Sequence, residues 1–322
     1  MLSATLIVLL GLPQFLKPYL LDVMIIIFLF AFLGAAWDLI GGYAGQLSLG
    51  HVAFFGIGAY TSTYLFVNFQ ISPWIGMIAG GLLATLIGAF IGFLCFRYGL
   101  RGPFFALATL AFAEVLRLIA TNWMVIGGSI GILIPLQKSS LVNFTFTHKD
   151  KYYYIIFFMM LLGTGITYLI DRSKMGLYLM AIREDEDAAE SAGVNTTRYK
   201  LWAISISAFL TAMAGTFYAQ YIMYISPEEV FGIHYSIEMI LRPIIGGSGT
   251  VLGPVIGAFV LGPLSELARV YLGGYSGVHL MIYGLIVILV VLFLPDGIGP
   301  KLKELFKTSK DGSHVQPSST AN

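Results

Sequence analysis

Charge is scarce in this sequence. Asp, Glu, Lys and Arg make up 11% of its 322 residues, against about 25% in a typical soluble domain. A water-soluble fold cannot cover its surface with so few ionised groups, so most of the surrounding solvent is lipid. There is one cysteine, Cys95, inside an apolar run. An internal disulfide is therefore excluded, and no Cys/His cluster offers a metal site. A formal net charge of +1 gives no electrostatic footprint for nucleic acid. Neither HExxH nor GxSxG occurs, and the polar groups are too scattered for a membrane-embedded enzyme. A nucleotide loop is missing too. It would read GxxxxGK[ST], and no Lys follows Gly246-Gly247-Ser248-Gly249.

Long hydrophobic runs are plentiful: 57% of the residues are hydrophobic and the mean hydropathy is +0.84. A helix needs roughly 20 apolar residues to cross about 30 Å of hydrocarbon, and it satisfies its own backbone polar groups there. Apolar runs lie at 19–40, 46–67, 74–96, 103–120, 152–170, 201–225, 237–245, 251–272 and 278–294, with a shorter one at 1–12 interrupted by Pro13. The expected fold is an all-α polytopic membrane protein with about 8–10 transmembrane helices. Segment 237–245 is too short to span alone and reads as tilted, broken or re-entrant. Residues 1–300 form the membrane domain. Residues 301–322 form a cytoplasmic tail, of which Thr308–Asn322 is Ser/Lys/Pro-rich without an apolar run, the composition of a disordered segment.

Charge concentrates in one internal stretch, Asp171 to Lys200, which holds eleven charged residues. Lys and Arg mark the cytoplasmic connections of membrane proteins. Arg97 and Arg101, the 171–200 segment and the lysines of the tail fall on one side if 237–245 crosses. That side, with both termini, is expected to be cytoplasmic. Within the segment, Arg183–Val194 is helix-compatible, with Gly193 placed to end it. Asp185, Ala188, Ala189 and Ala192 then share a face and make a shallow surface for a neighbouring protein, or simply a solvated loop helix.

Inside the apolar runs the charges are Asp22, Asp38, Glu114, Arg117, Glu238, Arg242, Glu266 and Arg269. Charged groups at membrane depth face the bundle interior or a partner. Glu114/Arg117 and Glu266/Arg269 at i,i+3, and Glu238/Arg242 at i,i+4, can neutralise themselves on one helix face. They read either as structural ion pairs or as the lining and gate of a path, and Arg242 is the strongest gate candidate. His51 and His279 are isolated, which suits packing or hydrogen bonding. Glycine turns at 40–46 and 245–250 both precede an apolar, glycine-spaced helix. They read as an internal repeat or as coincidence among 37 glycines. Gly246 and Gly247 either let helices approach closely or free backbone groups along a path. Phe54, Phe55, Phe104 and Phe105 are candidate path-lining aromatics or packing residues.

Several strings carry a resemblance. Asp187-Ala188-Ala189-Glu190-Ser191-Ala192-Gly193 resembles the EAAxxxG coupling loop of ABC importer permeases, with Asp187 in place of Glu and without the usual downstream Ile-x-Leu-Pro. Asp38-Leu39-Ile40-Gly41-Gly42-Tyr43-Ala44-Gly45-Gln46-Leu47-Ser48-Leu49-Gly50-His51, Gly102 to Glu114, Arg183 to Ala189, and Gly246 to Pro254 resemble, in order, segments of the branched-chain amino acid permeases. The resemblance covers about Tyr19 to Pro295. Arg242 departs from the apolar residue usual before that glycine turn.

This resemblance implies a heteromeric importer of the inner membrane. Two ABC ATPases would bind the ATP and dock on Asp187, Ala188, Ala189, Glu190 and Gly193. A second, related permease subunit would pair with this one, and a periplasmic or lipid-anchored binding protein would deliver substrate. The chain itself would need no cofactor and hydrolyse nothing. Leucine-type amino acids, other amino acids and urea or short amides remain open as cargo. An ion-coupled transporter acting alone, or a membrane-integral enzyme, are the competing classes.

Overall fold

The computed structural model describes residues 9–14, 16–135 and 139–272, with 284, 285, 288, 292 and 297–299. Most of the run at 278–294, the tail 301–322, both termini, His279 and the side chain of Arg269 lie outside the described residues, as does most of 1–12.

Among the described residues, six helices are long and apolar enough to cross a membrane. They are α1 (Pro18–Asp38, prolonged by a π-turn through Tyr43), α2 (His51–Phe69), α3 (Pro73–Arg97), α4 (Gly102–Asn122), α5 (Lys149–Asp171) and α8 (Thr196–Ile222). Between α5 and α8 lie two short helices, α6 (Lys174–Glu184) and α7 (Glu186–Ser191). After α8 come α9 (Pro227–Val230), α10 (Ile233–Gly246) and α11 (Gly253–Leu272). Two two-residue strands, β1 (Ile132–Leu133) and β2 (Tyr224–Ile225), pair antiparallel. The polytopic helical class expected from composition is the one observed. The end of the bundle carrying α6 and α7 is called the near end below, and the opposite one the far end.

Helix α1 is the hub. In its most apolar window 83% of residues are buried, whereas α4 buries only 28% and faces outward. Helix α3 shows how one sequence serves both lipid and protein. Ile75, Ile78, Leu82, Leu86, Phe90 and Phe93 are exposed. On the other face Gly76, Gly80, Ala84, Gly88 and Gly92 recur every fourth position and are buried. Two apolar stripes gain nothing from each other in lipid, so helices associate there through close backbone approach. The small stripe seats α3 against α2 and α8, its most extensive neighbours. The α2–α8 seam is equally tight: a Cβ on Gly58 would collide with the Ala212 carbonyl.

Two expected runs end differently. The run at 46–67 becomes helical only at His51; Ala44–Gly50 is irregular. Gly45 sits at φ +66°, and the bared backbone is satisfied by tertiary donors and acceptors. Trp37 Nε1 donates to the Ser48 carbonyl at 2.8 Å, and Leu49 N donates to Thr109 Oγ1 at 3.2 Å. Non-helical backbone at membrane depth is tolerated only when buried in this way. The short segment 237–245 belongs to α10, the second half of a broken helix whose first piece is α9. Phe231, between them, stacks on Tyr60, and Tyr60 lies about 14 Å along α2 from its end at Phe69. Helix α10 therefore starts deep within the bundle and runs to the near end.

Candidate functional site: a clamped helix, a glycine junction and a polar cavity

The charged segment forms two capped helices, not one. Ser173 Oγ accepts from Met175 N and Gly176 N, starting α6. Asp185 then breaks the expected Arg183–Val194 helix: its backbone is extended, and its Oδ1 accepts from Asp187 N and Ala188 N at 3.0 Å each. An aspartate satisfying orphan amides in this way starts a new helix. Gly193, at φ +87°, ends α7 as its position suggests, with Val194 N donating to Ala189 O at 3.0 Å.

Helix α7 is clamped on its inner side. Glu186 pairs with the buried ammonium of Lys200 and, at 3.2 Å, with Arg101 Nε. Arg101 Nη1 donates to Asp187 Oδ1 at 2.8 Å, and that bond holds the guanidinium above its ordinary basicity. Lys200 also lies over the Phe96 ring, 4.6 Å from its centroid. Ala189 is buried at 5% exposure, which corrects the expectation that it shares an outer surface with Ala188. The uncovered face is Asp187, Ala188, Glu190, Ser191, Ala192 and Gly193.

Arg183, at the end of α6, reaches into the bundle. Its Nη1 donates to Gly42 O at 2.7 Å and to Ser248 O at 3.4 Å. Asp38, wholly buried, takes the Gly249 amide on both carboxylate oxygens. The two glycine turns singled out in the sequence thus meet, bridged by Asp38 and tied to the charged segment by Arg183. Gly249 has φ +73°, and a Cβ on Gly42 would overlap the Asp38 carboxyl. Neither Asp38 nor Arg183 stands out as a site residue in the sequence. The signal available was a carboxylate directly before one glycine turn and a basic residue opening an acidic run.

Gly246 and Gly247 lie where α10 turns into α11. A Cβ on Gly246 would collide with the Gly253 backbone, and Gly247 adopts φ +118°. Glu114 and Arg117 form a two-bond pair at 2.9 and 2.6 Å, and Arg117 also binds Glu228. The three border a pocket of about 270 Å³ shared with His234. Phe54 and Phe55 are packed between helices: Phe54 meets His51 edge-on and Phe55 stacks on Tyr235. Phe105 is buried, whereas Phe104 is exposed. His51 is held by Ser48 and Ser207 at 2.8 and 2.7 Å, the hydrogen-bonded role its isolation suggests.

The larger cavity, about 500 Å³, opens among α1, α8, α10 and α11. Four of the membrane-depth charges converge on it: Asp22, Glu238, Arg242 and Glu266. Arg242 is 3% exposed. Its Nη1 donates to the Glu238 carboxylate and carbonyl, its guanidinium lies 3.9 Å from the Phe30 ring centroid, and its Nε has no hydrogen-bond partner. Asp22 is held by Lys149 at 2.5 Å and by Tyr221, and Glu266 by Tyr19.

Six apolar spans among the described residues, with a charged cavity between four helices, define a multi-pass membrane protein. The profile of the family described as "Branched-chain amino acid transport system / permease component" matches residues 19–291, and the chain belongs to that family. It is 26% identical to the high-affinity branched-chain amino acid transport system permease protein LivM of Salmonella typhimurium, over 95% of this chain and 76% of that one. It is 27% identical to LivM of Escherichia coli K12 over the same shares. The permease LivH of Salmonella typhimurium is 25% identical over 84% of this chain and 90% of its own length. No solved structure matches the chain.

Proposed function

We propose that this chain is the permease subunit of an ATP-driven importer that moves branched-chain or related amino acids across the inner membrane. The observation that carries this reading is α7: a six-residue helix, capped, clamped by Glu186 to Lys200 and Arg101, with its outer face uncovered. A helix fixed to its own chain on one side and bare on the other transmits force without deforming. Partner ATPases bind and hydrolyse the ATP, and α7 sits in a groove of one of them. A second, LivH-like permease completes the membrane unit, and a binding protein delivers substrate. Family membership and the names of the relatives support the cargo class.

The reading is tested by purifying the tagged chain from its host membrane with Ala192→Cys in place. A cross-link from position 192 to an ATPase, together with co-purification of a second permease, is the expected result. A chain that purifies alone, transports without ATP and gives no such cross-link overturns it in favour of an ion-coupled carrier.

A further inference from the structure

The 500 Å³ cavity reaches from the far end, where Tyr19 and Asp22 stand at the start of α1, into the bundle as far as Phe30 and Arg242. Its charged groups cannot face hydrocarbon without large cost, so the cavity belongs to a polar route. Most of those groups are already engaged. Asp22 is taken by Lys149 and Tyr221, and Glu266 by Tyr19. Arg242 differs: it is buried, lines the cavity, bonds only through Nη1, and leaves Nε without a partner. A buried N–H left without an acceptor is costly, and a ligand oxygen entering the cavity can fill it. Glu238, one turn away on the same helix, supplies a carboxylate beside it. Ile26, Ile27 and Phe30 give the same cavity an apolar wall. A volume of this size falls within the range of small-molecule sites.

Resting on the permease reading, we propose that Arg242 and Glu238 form a zwitterion-binding step in the translocation route. The α-carboxylate of an amino acid docks on Arg242 and its α-ammonium on Glu238, with the side chain against Ile26 and Phe30. The substrate's own two charges take the place of the internal ion pair, so the site stays neutral when empty and when filled. Buried charges that always have a partner avoid the penalty of a stranded ion.

The test uses the assembled transporter without its binding protein. Ser265 lines the cavity, and Cys95 is buried, so Ser265→Cys gives one reactive thiol there. Leucine should slow maleimide labelling of that thiol about tenfold at ten times its dissociation constant. Leucinamide, lacking the carboxylate, and 4-methyl-2-oxopentanoate, lacking the ammonium, should protect weakly. Adding Arg242→Gln should abolish protection by leucine, with Arg242→Lys retaining part of it. Equal protection by leucine, leucinamide and urea, or none by any, overturns the site, and the competitor series needs no charge variant to fold. Uptake into proteoliposomes is measured alongside, with the binding protein restored. Normal ATP-driven leucine uptake without cavity protection sinks the site alone; absence of ATP-driven uptake sinks the permease reading.

Discussion

Asp38 receives the amide hydrogen of Gly249 on both oxygens of its carboxylate, each at 3.1 Å. The two residues are 211 positions apart. Their bond joins the turn after α1 to the turn before α11, and Arg183 adds the charged segment to the same junction. Three parts of the chain far apart in sequence are therefore in contact at one point.

Removing the Asp38 acceptor strands a buried amide. Asp38→Ala should cost about 1–3 kcal/mol of stability, and Asp38→Asn, which keeps one oxygen, clearly less. Thermal unfolding of the detergent-solubilised chain measures both. Equal stability of the alanine variant and the native chain would show that the junction contributes nothing.

Arg183→Ala should separate motion at the near end from the glycine turns. In reconstituted transporter we expect ATP hydrolysis to persist while substrate-dependent stimulation falls several-fold. Unchanged coupling of hydrolysis to uptake would make Arg183 a passive strut.

The Glu186–Lys200 pair is enclosed, with 10% and 2% of the side chains exposed. Losing one partner of a buried pair costs about 3–5 kcal/mol, while exchanging both for uncharged groups is often neutral. Glu186→Gln should therefore lower the unfolding temperature sharply, and adding Lys200→Met should recover most of the loss. A double variant no better than the single one contradicts this account of the clamp.

Ala189 and Ala192 provide a contrast within one helix. Ala189→Glu forces a carboxylate into the chain's own interior and should destabilise the isolated subunit. Ala192→Glu should leave the subunit's unfolding unchanged yet block ATPase association in a pull-down.

Glycine substitutions separate packing from propensity. Gly58→Ala drives a methyl into the Ala212 carbonyl and should cost about 1–3 kcal/mol. Gly165, inside α5, has open space around its Cβ position, so Gly165→Ala should be neutral or stabilise by up to about 1 kcal/mol. The two variants are compared by thermal unfolding in one detergent.

Much of the architecture was legible because length and hydropathy are one-dimensional properties. The described spans lie within a few residues of the apolar runs, and Gly193 ends its helix where its position suggests. Hydropathy could not separate the irregular Ala44–Gly50 from a helix, because its backbone is satisfied by Trp37 and Thr109 from other helices. Propensity joined Arg183–Val194 into one helix, because the capping role of Asp185 depends on a backbone angle and not on composition. The inward turn of Ala189 was equally invisible, since its face is chosen by Glu186 finding Lys200 and Arg101. Convergence of Asp22, Glu238, Arg242 and Glu266 on one cavity required three helices to be placed, although Arg242 itself was conspicuous as a guanidinium, paired with Glu238, just before a glycine turn.

Helix α1 holds Asp38 near one end and Tyr19 and Asp22 at the other, separated by about 28 Å of rigid helix. That separation makes it a lever with its short arm at the glycine junction. A tilt of about 10° about Asp38, from a push on Arg183, would sweep the Tyr19 end through about 5 Å at 1.5 Å rise per residue. Such a stroke is wider than a water molecule and comparable to an amino acid. A small rotation at the near end is thus geometrically enough to open or close the mouth of the far cavity, with no helix unwinding along the way.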